Sequence, residues 1–177
     1  MQVLSAKDGL SPNHLHRSRL RRSSALSSAE VKRVHVAAVC FRVRSGELEF
    51  LLVRTRKGSW TFPKGGVDGD ATHADAAARE AYEEAGVRGW VERVPFISYW
   101  HCKLSEVGSG REVILVHAYL CQVKRLISPS EQYRDPTWFR EAKAKRQLRK
   151  LRTPEFAAEV ISVIDRAKKR IRSRSPK

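Results

Sequence analysis

Long apolar runs are missing from this sequence. No stretch approaches the roughly 18–20 residues that a membrane span requires, and the first residues lack the apolar core of a secretory signal. Cysteine is scarce and odd in number: Cys40, Cys102 and Cys121, with no C-x-x-C pair. Complete pairing of thiols within the chain is therefore excluded. Cys40 and Cys121 fall in apolar runs that read as strands, where a free thiol behaves as a small core residue. This usage fits a reducing, cytoplasmic compartment. His101 and Cys102 are neighbours, but no further ligand stands at metal-binding spacing from them. No internal repeat is present. Acidic residues are the minority charge, 19 Asp and Glu against 35 Lys and Arg, for a net charge of +16.

The placement of the charge says more than its size. Residues 1–33 carry 7 basic and 2 acidic side chains (net +5), and residues 141–177 carry 13 and 4 (net +9). The centre, residues 34–140, holds 15 and 13 (net +2). Positive ends around a near-neutral centre attract polyanions, RNA among them, and equally serve as a solvated, solubilising surface. With 41% hydrophobic residues the chain has enough apolar material for one folded domain. The stretch His16–Ser28, rich in Arg and Ser, faintly resembles an organelle transit peptide in composition, but a plain flexible basic segment over residues 1–30 is the preferred reading.

Val34–Arg44 reads as a buried strand, Ser45-Gly46 as a turn, and Leu48–Arg54 as a second strand that makes a hairpin with the first. Ser59–Phe62 is short and extended. Pro63-Lys64-Gly65-Gly66 is expected to be a loop, because proline and two glycines oppose regular continuation. The clearest helix follows: Thr72 as N-cap with Asp75 three positions on, an Ala- and Glu-rich body, and Gly86 as a left-handed C-cap. One strand is predicted over Val91–Trp100, a turn at Gly108–Gly110, and a long strand over Glu112–Val123. Residues 129–137 read as loop, and two helices are predicted near 138–150 and 154–172, with RSRSPK fraying at the end. Strands on both sides of a central helix, then C-terminal helices, indicate a mixed α/β domain.

Chemistry concentrates at Arg79-Glu80-Ala81-Tyr82-Glu83-Glu84. Positions i, i+3 and i+4 share a helix face, so Glu80, Glu83 and Glu84 project together, with Ala78, Ala81 and Ala85 behind them to let the helix approach a sheet. Clustered carboxylates repel unless a cation joins them, and hard divalent cations prefer such oxygen ligands together with substrate phosphates. Taken alone, E-x-x-E-E is more often a solvated acidic face, with Arg79 and Glu83 paired at i, i+4. The glycines ahead of the helix change that balance, since Gly65 and Gly66 permit close backbone approach and positive φ.

Together these residues resemble the Nudix hydrolase family, whose box is G-x5-E-x7-R-E-U-x-E-E-x-G-U, with U a bulky apolar residue. Gly65, Arg79, Glu80, Glu83, Glu84, Gly86 and Val87 fall in this register without a gap, and Trp60–Gly65 resembles the usual entry to the box. Two positions depart from it. Ala71 stands where the first glutamate belongs, with Asp70 beside it, and Ala81 replaces a larger aliphatic. The resemblance implies an α/β/α sandwich over residues 31–172, with a mixed central sheet, the loop–helix unit and C-terminal helices, between the basic segment 1–30 and a basic tail 173–177. Within the family the chain looks most similar to the diphosphoinositol polyphosphate and diadenosine polyphosphate phosphohydrolases, through Val36–Phe41, Glu83–Gly89 and Trp138-Phe139.

By analogy, Glu80, Glu83 and Glu84 bind Mg²⁺ or Mn²⁺ with help from the Lys64 carbonyl, Arg79 belongs to the catalytic set, and water attacks a phosphorus of a diphosphate linkage. Glu131 is a weak candidate for the general base. Arg33, His35, Arg56, Lys57, Lys64, Gly65 and Gly66 are the implied binding residues for a polyanionic small-molecule substrate, the cations forming a basic rim. Two other readings stay open: an RNA-cap or nucleotide-diphosphate pyrophosphohydrolase, and a non-catalytic RNA-binding module. No membrane partner is expected, and the sequence leaves the oligomeric state open.

Overall fold

The computed structural model describes residues 34–67, 72–104 and 111–174. Its organising element is strand β1 (Val34–Arg44), which alternates two apolar sets. Ala37, Val39 and Phe41 point to one face, and Val36, Ala38 and Cys40 to the other. A strand apolar on both sides has to be covered on both sides, and the rest of the fold supplies the covers.

β1 pairs in parallel with β7 (Arg111–Leu126), from Val34↔Leu115 to Phe41↔Gln122. On its other edge β1 has two antiparallel partners in succession. Its first residues pair with β4 (Lys64–Gly66), and its last with β2 (Glu47–Arg54) through the Ser45-Gly46 turn. β3 (Trp60–Thr61) and β8 (Thr137–Arg140) both pair antiparallel with β2. The long β7 is shared along its outer edge between β6 (Ile97–Leu104) and β5 (Val87–Val91). The result is one mixed sheet. α1 (His73–Ala85) covers one face through Ala74, Ala76, Ala77, Ala81 and Ala85. α2 (Glu141–Arg149) and α3 (Pro154–Arg172) cover the other through Ala144, Leu148, Val160, Val163, Ile164 and Ala167. This is the α/β/α sandwich expected from the sequence.

α1 begins and ends where its caps predict. The Thr72 hydroxyl accepts the Asp75 amide at 3.2 Å and donates to the Asp75 carboxylate at 2.6 Å. Gly86 stops the helix at φ 63°, and its amide donates to the Tyr82 carbonyl. Of the alanines assigned to the buried side, Ala78 is only half-buried, while Ala81 and Ala85 pack on the sheet.

Three expectations are corrected. Lys64–Gly66 is a short strand rather than a loop, because β2 leaves the first half of β1 unpaired and the glycine segment fills that edge. Val91–Trp100 is two strands, interrupted where the Glu92 amide turns to the Leu120 carbonyl and Phe96 to that of Ala118. Residues 138–140 extend as β8 against β2 before α2 starts at Glu141. The loop at 129–137 holds a single 3₁₀ turn, Gln132–Arg134. The basic segment 1–30 and the turn 108–110 lie outside the described residues, as do Ala71 and Asp70. At the C-terminal end, Arg174 is tied down against Glu92 at 2.5 Å.

Candidate active site

α1 presents its acidic face to the β4 strand and to the loop that precedes β8. Glu80 and Glu84 are buried, at 9% and 2% exposure, while Glu83 is half-buried. Gly65 of β4 sits so close to Glu80 that a Cβ there would overlap the carboxylate. Close approach, not backbone freedom, is what requires this glycine, since among the described residues positive φ occurs only at Gly46, Gly58 and Gly86 of the glycines. The next amide inward, that of Lys64, donates to Glu84 Oε2 at 3.1 Å.

The loop 127–136 docks onto the same helix. The Ile127 amide donates to the Gly86 carbonyl at 2.8 Å and the Glu131 amide to the Glu83 carbonyl at 3.1 Å. This docking delivers Arg134, whose guanidinium pairs with Glu84 Oε1 and with Glu131 at 2.6 Å. Glu131 also accepts a hydrogen bond from the Tyr133 hydroxyl. Arg56 lies over the Tyr133 ring, 5.2 Å from its centroid, and Arg134 is 5.0 Å from the same centroid. Arg79 pairs with Glu83 at 3.7 Å and Glu80 at 3.8 Å.

The electrostatics follow from burial. Desolvation raises the Glu80 carboxyl above its ordinary value; Arg79 opposes this, while Glu83 and Glu131 add to it. Desolvation pushes Glu84 up to about 7 against the lowering effects of Arg134 and the Lys64 amide. Glu131 goes the other way. Burial alone would raise it, but the hydrogen bonds from Tyr133 and Arg134 prevail and hold it below the usual carboxylate range.

The three helix glutamates thus share a face without converging on a point, and among the described residues no three His, Cys, Asp or Glu side chains form a ready-made metal cage. Even so, the donors fit a hard divalent cation. They are carboxylate oxygens, two of the carboxylates are withdrawn from water with a single arginine beside each, Arg79 for Glu80 and Arg134 for Glu84, and the absence of a side chain at Gly65 is what lets the Glu80 carboxylate lie against the β4 backbone. Both oxygens of Glu84 already have protein partners.

Of the implied binding residues, Lys64, Gly65 and Gly66 line β4 directly against α1, and Arg56 reaches the Tyr133 side of the site. His35 lies opposite Gly66 on β1. Lys57 is exposed in the turn between β2 and β3, and Arg33 lies outside the described residues. Arg134 is the residue that sequence reasoning missed. Its contacts depend on a loop nearly 50 positions beyond the helix, and no local spacing marks them.

The NUDIX domain profile matches residues 33–161, well over half of the chain. The chain belongs to the NUDIX family. Among curated relatives, rat diphosphoinositol polyphosphate phosphohydrolase 2 is 45% identical over 60 residues, which is 33% of either chain. Nudix hydrolase 17, mitochondrial, of Arabidopsis thaliana is 31% identical over 106 residues, 59% of this chain and 57% of that one. The chain therefore spans a third to just over half of the length of these relatives. Among the solved structures with a similar fold are the following two. One is a C. elegans Ap4A hydrolase in a binary complex, with TM-score 0.55 and 20% identity, covering 80% of this chain and 98% of that one. The other is the NUDIX domain of Shewanella oneidensis NrtR complexed with ADP ribose, with TM-score 0.59 and 18% identity, covering 85% and 98%. Nudix hydrolases generally use divalent metal cations, in keeping with the oxygen donors on the NUDIX helix α1.

Proposed function

We propose that the chain is a metal-dependent hydrolase that cleaves a diphosphate linkage in a polyanionic substrate of the diadenosine polyphosphate or diphosphoinositol polyphosphate kind. The observation that carries this reading is the contact of the buried Glu80 carboxylate with the bare backbone of Gly65, on a helix whose next acidic residues are Glu83 and Glu84. Mg²⁺ or Mn²⁺, when bound, would neutralise phosphate charge and lower the pKa of an attacking water.

The protein's own contributions are separable. Glu80, Glu83 and Glu84, with the Lys64 carbonyl, would hold the ion, and in the metal-free chain Glu84 orients the Lys64 segment by accepting its amide. Arg79 spans Glu80 and Glu83 and keeps both carboxylates aimed outward from the helix. Glu131 is committed to Tyr133 and Arg134, so it serves to position Arg134 beside Glu84. Arg56 and Lys57, on the segment leading from β2 to β3, supply positive charge for terminal phosphates.

Turnover of diadenosine polyphosphates, diphosphoinositol phosphates, ADP-ribose and capped RNA, assayed in parallel with and without Mg²⁺ or Mn²⁺, tests the reading. We expect metal-dependent release from the first two. Replacement Glu83→Gln should lower kcat on the order of 10²–10⁴-fold with unchanged circular dichroism. Turnover confined to capped RNA would assign the RNA-cap alternative. RNA binding without turnover of any substrate would assign the non-catalytic module.

A further inference from the structure

The helical layer opposite the catalytic one carries a surface that the hydrolase reading does not use. α2 and α3 turn Ala144, Leu148, Val160, Val163, Ile164 and Ala167 into the core, with Phe156, Ile161 and Ile171 half-buried and only Ala142 and Ala158 among their non-proline apolar residues exposed. Two of their acids sit in the seam between them: Glu141 pairs with Lys145 at 2.8 Å and Lys168 at 2.6 Å, and Asp165 pairs with Lys145 at 2.5 Å. Of the others, Glu155 is exposed in the first turn of α3 and Glu159 accepts the Trp100 amide of β6 at 3.4 Å. The two cations nearest β5, Arg170 and Arg174, are used on Glu92. Outside these pairs stand Lys143, Arg146 and Arg149 on α2, Lys150 at its C-cap, and Arg166, Lys169 and Arg172 on α3. All seven are exposed, and none has an acidic partner among the described residues.

Helical spacing places Lys143, Arg146 and Lys150 along one stripe of α2, opposite the buried Ala144 and Leu148. Arg166, Lys169 and Arg172 follow the outward side of α3, opposite Val160, Val163, Ile164 and Ala167. Since the Lys145–Asp165 and Lys168–Glu141 pairs zip the two helices together, the stripes lie side by side on one surface. Solvation explains scattered surface charge, but here seven exposed cations on two adjoining helices stand without an acidic partner among the described residues, a concentrated patch of one sign.

We infer that this face is a docking surface for the sugar–phosphate backbone of a nucleic-acid duplex, held without base readout. The charge fits a polyanion. A membrane is disfavoured because a helix lying on lipid presents an apolar side, whereas here that side is inside the protein and Leu151 is the one large exposed apolar residue of this layer among those described. A single strand is disfavoured because it is held by stacking bases on exposed aromatics. The sole aromatic residue of the two helices, Phe156, is half-buried. What remains is phosphate contact, with counter-ion release as the driving force.

The test uses the full chain and a 20-base-pair RNA duplex of arbitrary sequence, with binding followed by fluorescence anisotropy as salt is raised. We expect affinity to fall roughly 10²–10³-fold between about 50 and 200 mM salt. In the variant carrying Arg146→Gln, Lys150→Gln, Arg166→Gln and Lys169→Gln, the log–log salt slope should become shallower by about 3 to 4, near 0.9 for each phosphate that is no longer neutralised. A DNA duplex should bind with a similar slope. Lysine-reactive mass footprinting of the unmodified protein gives a second reading, in which Lys143, Lys150 and Lys169 become protected on adding duplex, whatever the stability of the variant. An unchanged slope in the folded variant would overturn the inference, because the basic ends would then be the contact. So would tighter binding of a single strand of equal length, stronger capture by phosphatidylserine vesicles, or unprotected lysines.

Discussion

Gly65 is small for the sake of Glu80. A methyl group at Gly65 meets only the far end of a flexible side chain, so the fold can yield by moving the carboxylate. We therefore expect Gly65→Ala to change stability by less than about 1 kcal/mol while lowering turnover at least tenfold, a split visible by setting thermal melts beside kcat. Gly86 is the opposite case. It sits at φ 63°, and a Cβ would strike the backbone carbonyl of Ile127. Gly86→Ala should cost at least about 2 kcal/mol, or roughly 4–8 °C of Tm, because neither neighbour can swing aside. Glu84 gives a pH signature. Its carboxyl is raised by burial to about 7 from an ordinary 4.5, so between those values the folded, metal-free chain holds a proton that the unfolded chain has released. Stability in chelator should accordingly fall as pH rises from about 4.5 to about 7 and level off above, and a divalent cation should flatten the slope. A rising slope in denaturant titrations would contradict the burial of Glu84. The grouping of Glu80, Glu83 and Glu84 on one face was legible from spacing, because helical geometry is local. Their separate engagements, with Gly65, Arg79 and the Lys64–Arg134 pair, were not, since each depends on what the fold brings to the helix.

Among the elements, α1 and α3 were readable to the residue: caps and proline act within one turn of the boundary they set. β4 and β8 were not. Two glycines and a lysine have no strand preference of their own, and Lys64–Gly66 is extended because the edge of β1 lies open to it. Trp138-Phe139 would suit either state, and the β2 edge, with Trp60 meeting Phe139 edge to face at 4.9 Å, decides for strand. The loop 127–136 is likewise defined by its docking on α1, with Arg134 as the clasp. Removing Arg134 leaves the buried Glu84 with the Lys64 amide alone, so Arg134→Gln should destabilise the metal-free protein by roughly 2–4 kcal/mol. Added Mg²⁺ should recover part of that loss in a chemical denaturation series, since a cation can take over one carboxylate oxygen. Equal losses with and without Mg²⁺ would argue against an ion at Glu84.

At the scale of the whole molecule, the two layers of helix divide the work. The α1 side gathers carboxylates, and the α2–α3 side gathers cations, seven of them without an acidic partner among the described residues. Composition showed the basic C-terminal excess but not that folding would separate it from the acidic helix by the thickness of a sheet. The end of α3 is joined to the centre of the chain through Glu92, 2% exposed and enclosed by Arg170 and Arg174. The double change Arg170→Ala with Arg174→Ala should cost on the order of 3 kcal/mol by stranding that charge, and adding Glu92→Gln should restore much of it, a coupling that a thermodynamic cycle measures directly. The short strand at Lys64–Gly66 has a broader consequence. Because the glycine segment is hydrogen-bonded into the central strand, it is not a lid that can fray while the domain stays intact. Heat inactivation should therefore track global melting, with no temperature interval in which the protein is still folded yet already silent.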